Sequence, residues 1–322
     1  MLMTFSTFKV TDNSAMYQSF QKQFKKRFDI KTGSELVYLG NQIVVDAEKF
    51  NVTLDQTQYI DDLLARFEMD KSTPVATAMV ERLSESNRGN SLSKDEQARY
   101  RVIVGSLLYL SCWSRPDISF AVSELSRFVS GPVEVHMVAA KHLLRYIKGT
   151  RDLRLSYSRR CPTDKLNLLW GFVDSDWAGC PDSRKSTSGY ALMLNGAAIA
   201  WKSKRQSVVA LSSAEAEFVA ASSLVQELIY ICRLLENLGF PQSEPTAILE
   251  DNRTCIAWSE GSVGGSDRAK HIDLRQHFVH DAVHAKVLKL EVVRSADNVA
   301  DIFTKPLPKT PFLVLRKQLM GF

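Results

Sequence analysis

The run Leu168–Val173 constrains this chain's fold more than any other feature. Six consecutive residues, Leu-Leu-Trp-Gly-Phe-Val, carry neither a charge nor a strongly polar group, and Asp174 ends them. A half-solvated strand alternates apolar and polar residues, so an unbroken run marks a strand buried on both faces. Such a strand needs a layer of structure on each side. Gly189–Leu194 and Ala197–Lys202 flank Asn195-Gly196, the pair best suited to a two-residue hairpin turn. A helix is expected from Ser213 to Leu238, closed by Gly239 and Pro241. Strand Ala247–Glu250, a short helix from Asn252, a helix over Ile272–Ala285, strand Leu288–Val293 and a short helix near Asn298 follow. The order β-β-β-α-β-α-α-β-α predicts an α/β fold.

Cys161-Pro162-Thr163-Asp164 reads as a domain boundary, and 322 residues suit two domains at about 150 each. Ahead of it the pattern is mostly helical with one hairpin. Met16, Phe20, Phe24 and Phe28 form a helical stripe within Ser14–Phe28. Leu36–Val45 and Phe50–Leu54 read as paired strands, and Asp55 as the cap of a helix through Phe67. Ser93 and Glu96 make a capping box for a helix to Cys112, Pro116 opens a second helix ending at Gly131-Pro132, and a third spans Glu134–Lys148. The polar stretch Lys71–Leu92 is expected to be a linker or flexible loop.

Lys+Arg minus Asp+Glu is 41 − 36 = +5, so any nucleic-acid surface must be local. Lys204 and Arg205, with Lys202 and Trp201, read as a basic-aromatic loop leading into the long helix. Five scattered cysteines with no CxxC pair argue against a disulfide framework or a cysteine zinc site. No uncharged run is long enough to span a bilayer, and the start MLMTFSTFKV lacks a secretory pattern. The expectation is an intracellular chain with no membrane partner, in a cytoplasmic particle or the nucleus.

Four carboxylates stand where acids are costly. Asp174 and Asp251 end core strands, where α/β sheets open into ligand crevices. Each alone reads more readily as a turn or cap residue than as a ligand. Glu217 lies on the apolar stripe Ala214, Ala221, Leu224, Leu228, Ile231, Leu235, whereas Glu215 has a capping job with Ser212. Asp301 sits beside Ala300 and Phe303 on the last short helix. Converging acids need cations, and oxygen-only ligands select hard ones such as Mg²⁺ or Mn²⁺. Two such ions suit in-line displacement at a phosphodiester.

VDSDWAG (Val173–Gly179), RKSTSGY (Arg184–Tyr190), ALSSAEAEFVAAS (Ala210–Ser222), EDN (Glu250–Asn252), KHIDLRQHF (Lys270–Phe278) and ADIFTKPL (Ala300–Leu307) resemble the ribonuclease H domain of copia-type retrotransposon Pol polyproteins. LVYLGNQI, QYIDDLLARF, RPDISFAVSELSRF and AAKHLLRYIKGT are similar to the carboxyl-terminal part of that family's reverse transcriptase. The resemblance implies a partial reverse transcriptase (thumb and connection) over 1–160, a ribonuclease H domain over 165–310 and a tail over 311–322. It implies a ribonuclease H-like fold, a mixed five-stranded sheet flanked by helices, after a mostly helical segment. It also implies cleavage of the RNA strand of an RNA–DNA hybrid by two Mg²⁺ ions, for which Mn²⁺ can substitute. Asp174, Glu217, Asp251 and Asp301 become the metal-binding, catalytic acids. Ser212, Ser213, Lys204, Arg205, Lys270 and His271 become nucleic-acid contacts. The loop Arg294–Asp297 departs from cellular ribonucleases H, which carry a histidine there. The family's catalytic YVDD box belongs upstream of this segment, so the palm and fingers are an expected partner and polymerase activity is not expected. Asp61-Asp62 sits mid-helix and does not replace that box. The alternative is a catalytically silent, nucleic-acid-binding remnant.

Overall fold

The chain's computed structural model describes residues 37–46, 49, 51–84, 89–158, 167–261 and 270–322, leaving out the side chains of 270–273. The helix expected over Ser14–Phe28 and the boundary at Cys161–Asp164 lie outside the described residues. Strands β1 (Val37–Tyr38), β2 (Asn41–Asp46), β3 (Asn51–Asp55) and β4 (Leu155–Ser158) form an antiparallel sheet in that order. Between β3 and β4 run helices α1 (Thr57–Arg66), α2 (Lys94–Trp113), α3 (Ser119–Ser126) and α4 (Glu134–Gly149). The capping box at Ser93 is present: its hydroxyl accepts the Glu96 N–H, and Glu96 accepts the Ser93 N–H (2.9 Å). Asp61 and Asp62 are helical residues of α1. The helix expected from Pro116 to Gly131 is shorter, a 3-10 turn (Pro116–Ile118) followed by α3. At its end the Ser126 hydroxyl donates to the Val122 carbonyl (2.7 Å), competing with the helical ladder.

The second sheet contains β5 (Trp170–Asp176), β6 (Thr187–Leu194), β7 (Ala197–Arg205), β8 (Thr246–Glu250) and β9 (Leu288–Val292), in the order β7-β6-β5-β8-β9. β5, β6 and β7 form an antiparallel meander, while β8 and β9 run parallel to β5. This is the ribonuclease H-like arrangement. Asn195 (φ 50°) and Gly196 (φ 92°) turn β6 into β7, both in the left-handed region that a two-residue hairpin of this hand requires. Helices α5 (Ser213–Asn237), α6 (Arg253–Ser259), α7 (Lys270–His284) and α8 (Lys309–Met320) complete the described elements. α5 is long and apolar enough by composition to cross a membrane, but here it is the core helix over the sheet.

All of β6 is buried, as β5 is apart from its ends. Strand alternation explains what covers each face. Val173, Tyr190, Leu192 and Leu194 join the α5 core with Phe218, Leu224 and Leu228. Phe172, Ala191, Met193 and Ala198 join a second core with α2, α3, α4 and α8. The amino-terminal helices are therefore one of the two layers that the apolar run demands. Two expectations change here. Residues 311–322 are not a tail: Phe312, Leu315 and Leu319 of α8 are buried in this core. The part of Lys71–Leu92 over residues 71–84 is not a free linker, because Ala78, Met79 and Leu83 insert into the same core. Its polar composition hid three well-placed apolar residues.

A buried polar cluster fastens this layer. Arg115, fully buried, donates two hydrogen bonds to Asp117 (2.9 and 2.8 Å) and one to the Thr150 carbonyl (3.1 Å). Tyr146 donates to Asp117, and Arg316 of α8 donates to the Tyr146 hydroxyl (3.0 Å). Burial alone would raise the Asp117 carboxyl, but the Arg115 guanidinium holds it below the usual carboxylate range. Asp117→Ala strands the Arg115 charge and should cost about 3–5 kcal/mol of unfolding free energy, read by denaturant titration. A loss under about 1 kcal/mol would show that the cluster is not an anchor.

Candidate metal centre

Three elements bring carboxylates together. Asp174 lies near the end of β5, Glu217 in the second turn of α5, and Asp251 just past β8. One ligand oxygen from each lies within 4.8 Å of the others, the one such cation-holding group among the described residues. Asp174 and Glu217 are 3% and 4% exposed. Asp301 joins Asp174 from a 3-10 turn (Val299–Phe303) rather than an α-helix.

The position of that turn has two local causes. Asn298, fully buried, caps it through the Ala300 N–H (3.1 Å) and donates to the Val173 carbonyl beside Asp174 (2.9 Å). Gly189, opposite Asp174 in the sheet, supplies the space. A Cβ there would lie 2.6 Å from Thr304 Cγ2 and 2.7 Å from Phe303 Cβ, so only glycine admits this approach. The Thr304 hydroxyl then donates to Asp174, and Ser295 donates to Asp251.

The electrostatics follow from crowding. Burial pushes Glu217 well above the ordinary carboxylate range, aided by Glu250, Asp174 and Asp251. Burial also raises Asp174, and it lifts Asp301 to about 7 with help from Asp174. Lys305 opposes this, its Nζ 2.7 Å from Asp301 Oδ1. Glu217 Oε2 is buried without a hydrogen-bond partner, which an all-oxygen donor set leaves open to a hard cation. The residues present fit a divalent ion.

Sequence reasoning missed Glu250, Thr304 and Lys305. Glu250 is fully buried, raised by burial, with Oε1 accepting the Asn252 N–H (2.9 Å) and Oε2 unpartnered. Its place as the last residue of β8, directly before Asp251, was the available signal. Burial does not separate the two glutamates of α5, since Glu215 is 2% exposed. Partners do: Glu215 Oε2 accepts the Leu211 N–H (2.9 Å), and the Glu215 N–H donates to Ser212 (3.2 Å).

The expected nucleic-acid residues are only partly gathered. Ser212 caps α5, and exposed Ser213 accepts from Asn252 (3.5 Å), the residue after Asp251. Lys204 and Arg205 lie on β7, not in a loop, and alternate to opposite faces. Lys204 is exposed, whereas Arg205 donates to Cys180 Sγ (3.6 Å). The side chains of Lys270 and His271, at the start of α7, lie outside the described residues.

No family model matches the chain. It is 35% identical over 318 residues to the retrovirus-related Pol polyprotein from transposon TNT 1-94 of Nicotiana tabacum, covering 97% of this chain. It is 37% identical over 289 residues to the Pol polyprotein from transposon RE1 of Arabidopsis thaliana, covering 89% of this chain. The chain belongs to the copia-type retrotransposon Pol family. It spans 23% and 19% of the length of these two Pol relatives. Among solved structures it is similar to ribonuclease H1 from Halobacterium salinarum, at 14% identity and TM-score 0.32, over 42% of this chain and 93% of that one. The fold assignment rests on the sheet order.

These raised carboxyls give this Pol segment a pH signature. An acid raised on folding contributes stability that is fully present below its unfolded value, and is lost as pH rises through the folded value. With cations chelated, the melting temperature should fall between about pH 5 and about pH 8. Mg²⁺ should flatten that fall, and Glu217→Gln should shrink it. A melting temperature that stays level across this window without metal contradicts the crowding.

Proposed function

We propose that this Pol segment is a metal-dependent ribonuclease H that cuts the RNA strand of RNA–DNA hybrids within a retrotransposon reverse transcriptase. The observation that carries the reading is the meeting of Asp174, Glu217 and Asp251 within 4.8 Å at the carboxyl-terminal end of the parallel strands. Family membership supports it. Asp174, Glu217, Asp251 and Asp301 would hold two Mg²⁺ ions, or Mn²⁺ in their place. When bound, the ions supply charge neutralisation and an activated water for phosphodiester hydrolysis. The chain's own groups prepare that site. Thr304 and Ser295 each hold one oxygen, of Asp174 and Asp251 respectively. Lys305 offsets part of the negative charge beside Asp301. Ser213, at the positive end of the α5 dipole and linked to Asn252, would donate to a substrate phosphate. The hybrid's shallow groove offers 2′-hydroxyls by which RNA differs from DNA. The remaining palm and fingers of the polyprotein would deliver the hybrid.

The test is cleavage of a labelled hybrid by the full chain in Mg²⁺ or Mn²⁺. The parent should cut only the RNA strand, Glu217→Gln should lose at least about a hundredfold in rate, and Glu215→Gln should keep cutting because glutamine still accepts the Leu211 N–H. Normal cleavage by Glu217→Gln with a dead Glu215→Gln would reverse the assignment. A parent that binds hybrid but never cuts it would make the chain a silent remnant.

A further inference from the structure

Arg82 is the one cation that the segment 71–84 carries into the interior beside the metal strand. Its side chain is 12% exposed and its guanidinium lies over the Phe120 ring at 5.0 Å. One nitrogen, Nη2, donates to both the Asp176 carboxylate and the Thr304 carbonyl. The other, Nη1, donates to Thr187 Oγ1 (3.3 Å) and lies 3.7 Å from Glu124 of α3. These contacts link positions 94 and 222 residues apart in the chain. Gly179 makes room for them: a Cβ there would overlap Asp176 Oδ2 at 1.7 Å and come within 3.0 Å of Arg82 Nη2.

Asp176 is two residues after Asp174 on the same strand, and Thr304 is the residue whose hydroxyl donates to Asp174. Arg82 therefore holds the Asp176 side chain and the Thr304 backbone, on either side of the Asp174 carboxylate. A guanidinium suits this task, because its rigid planar fork fixes several acceptors at once. Arg127, directly after α3, makes a second clamp: it pairs with Glu124 (3.0 Å) and Asp182 (3.3 Å) and donates to the Leu83 carbonyl (3.4 Å), with no bond to Asp176 or Thr304.

We propose that Arg82 is a positioning residue for the metal centre: held by the reverse-transcriptase-like layer, it orients Thr304 and the end of β5 so that Asp174 presents a carboxylate oxygen to the cation. The inference rests on the metal-centre reading above and adds that the amino-terminal layer sets the centre's geometry. Charge alone predicts the opposite sign. Removing a cation near clustered acids should tighten divalent-metal binding, whereas losing an orienting group should weaken it.

The experiment is Mn²⁺ binding to the full chain, followed by the rise in melting temperature across a Mn²⁺ titration with no substrate present. Arg82→Gln should need about tenfold more Mn²⁺ than the parent for the same rise, while Arg127→Gln should stay within about twofold. Arg82→Lys should fall between, since it restores charge without the fork. Tighter or unchanged Mn²⁺ binding by Arg82→Gln overturns the proposal, as does an equal weakening by Arg127→Gln. If Arg82→Gln does not fold, Thr304→Val removes only the hydroxyl and should show the same weakening; unchanged binding there is equally fatal. Hybrid cleavage is then measured separately. A parent that binds Mn²⁺ but cuts nothing defeats the nuclease reading and leaves the Arg82 result standing.

Discussion

Like charges crowded into a low-dielectric crevice are the constraint around which this structure is arranged. Asp174, Glu217, Glu250 and Asp301 are all at least nine-tenths buried, and each is raised by that burial. Held ionised without partners, such a cluster would cost several kcal/mol per ion, comparable in sum with a domain's whole net stability. Lys305, the hydroxyls of Thr304 and Ser295 and the Asn252 N–H offset part of the cost. The proposed cation would offset the remainder. Perturbed carboxylates gathered in a crevice mark a candidate functional site.

Glu217 shows how that burden is kept in place. The helix that carries it is held by Phe218, Leu224 and Leu228 against the sheet, so the carboxylate cannot retreat to solvent without unseating the core. Asp301 is held differently, by the Asn298 side chain on the Val173 carbonyl and by the missing side chain at Gly189. One acid is fixed by apolar packing and the other by hydrogen bonds and close backbone approach. The opposite sheet face is closed by the amino-terminal layer, with Trp201 donating to the Ser111 carbonyl (2.8 Å) and Met193 and Ala198 packed into the shared core. Without that layer, Phe172 and Met193 would be solvated.

Much of this was legible in local patterns. The unbroken run before Asp174 announced a doubly covered strand, Asn195-Gly196 the hairpin, Ser212 the start of α5 and Gly239 its end. Each signal is carried by neighbouring residues and survives in one dimension. What escaped depends on contacts between distant segments. Arg82 sits in a polar stretch with no periodicity, and its partners Asp176 and Thr304 are fixed only by the tertiary fold. Lys204 and Arg205 read as one basic patch because adjacent letters look contiguous, yet a strand sends them to opposite faces. Glu250 was masked by Asp251, the more obvious end of the strand. Residues 311–322 carry Phe312, Leu315 and Leu319 at helical spacing, a stripe that reading them as a tail passed over, and their helix is secured by Tyr146 and the core.

The claim on which the account turns is that these carboxylates form a divalent-cation site. Crystals of the full chain soaked in Mn²⁺, with diffraction recorded at the manganese absorption edge, test it most directly. The account predicts an anomalous peak in direct contact with Asp174, Glu217 and Asp251, absent from crystals of Glu217→Gln soaked identically. Saturating Mn²⁺ that leaves this crevice without a peak, or a peak bound only by exposed acids elsewhere, would contradict it.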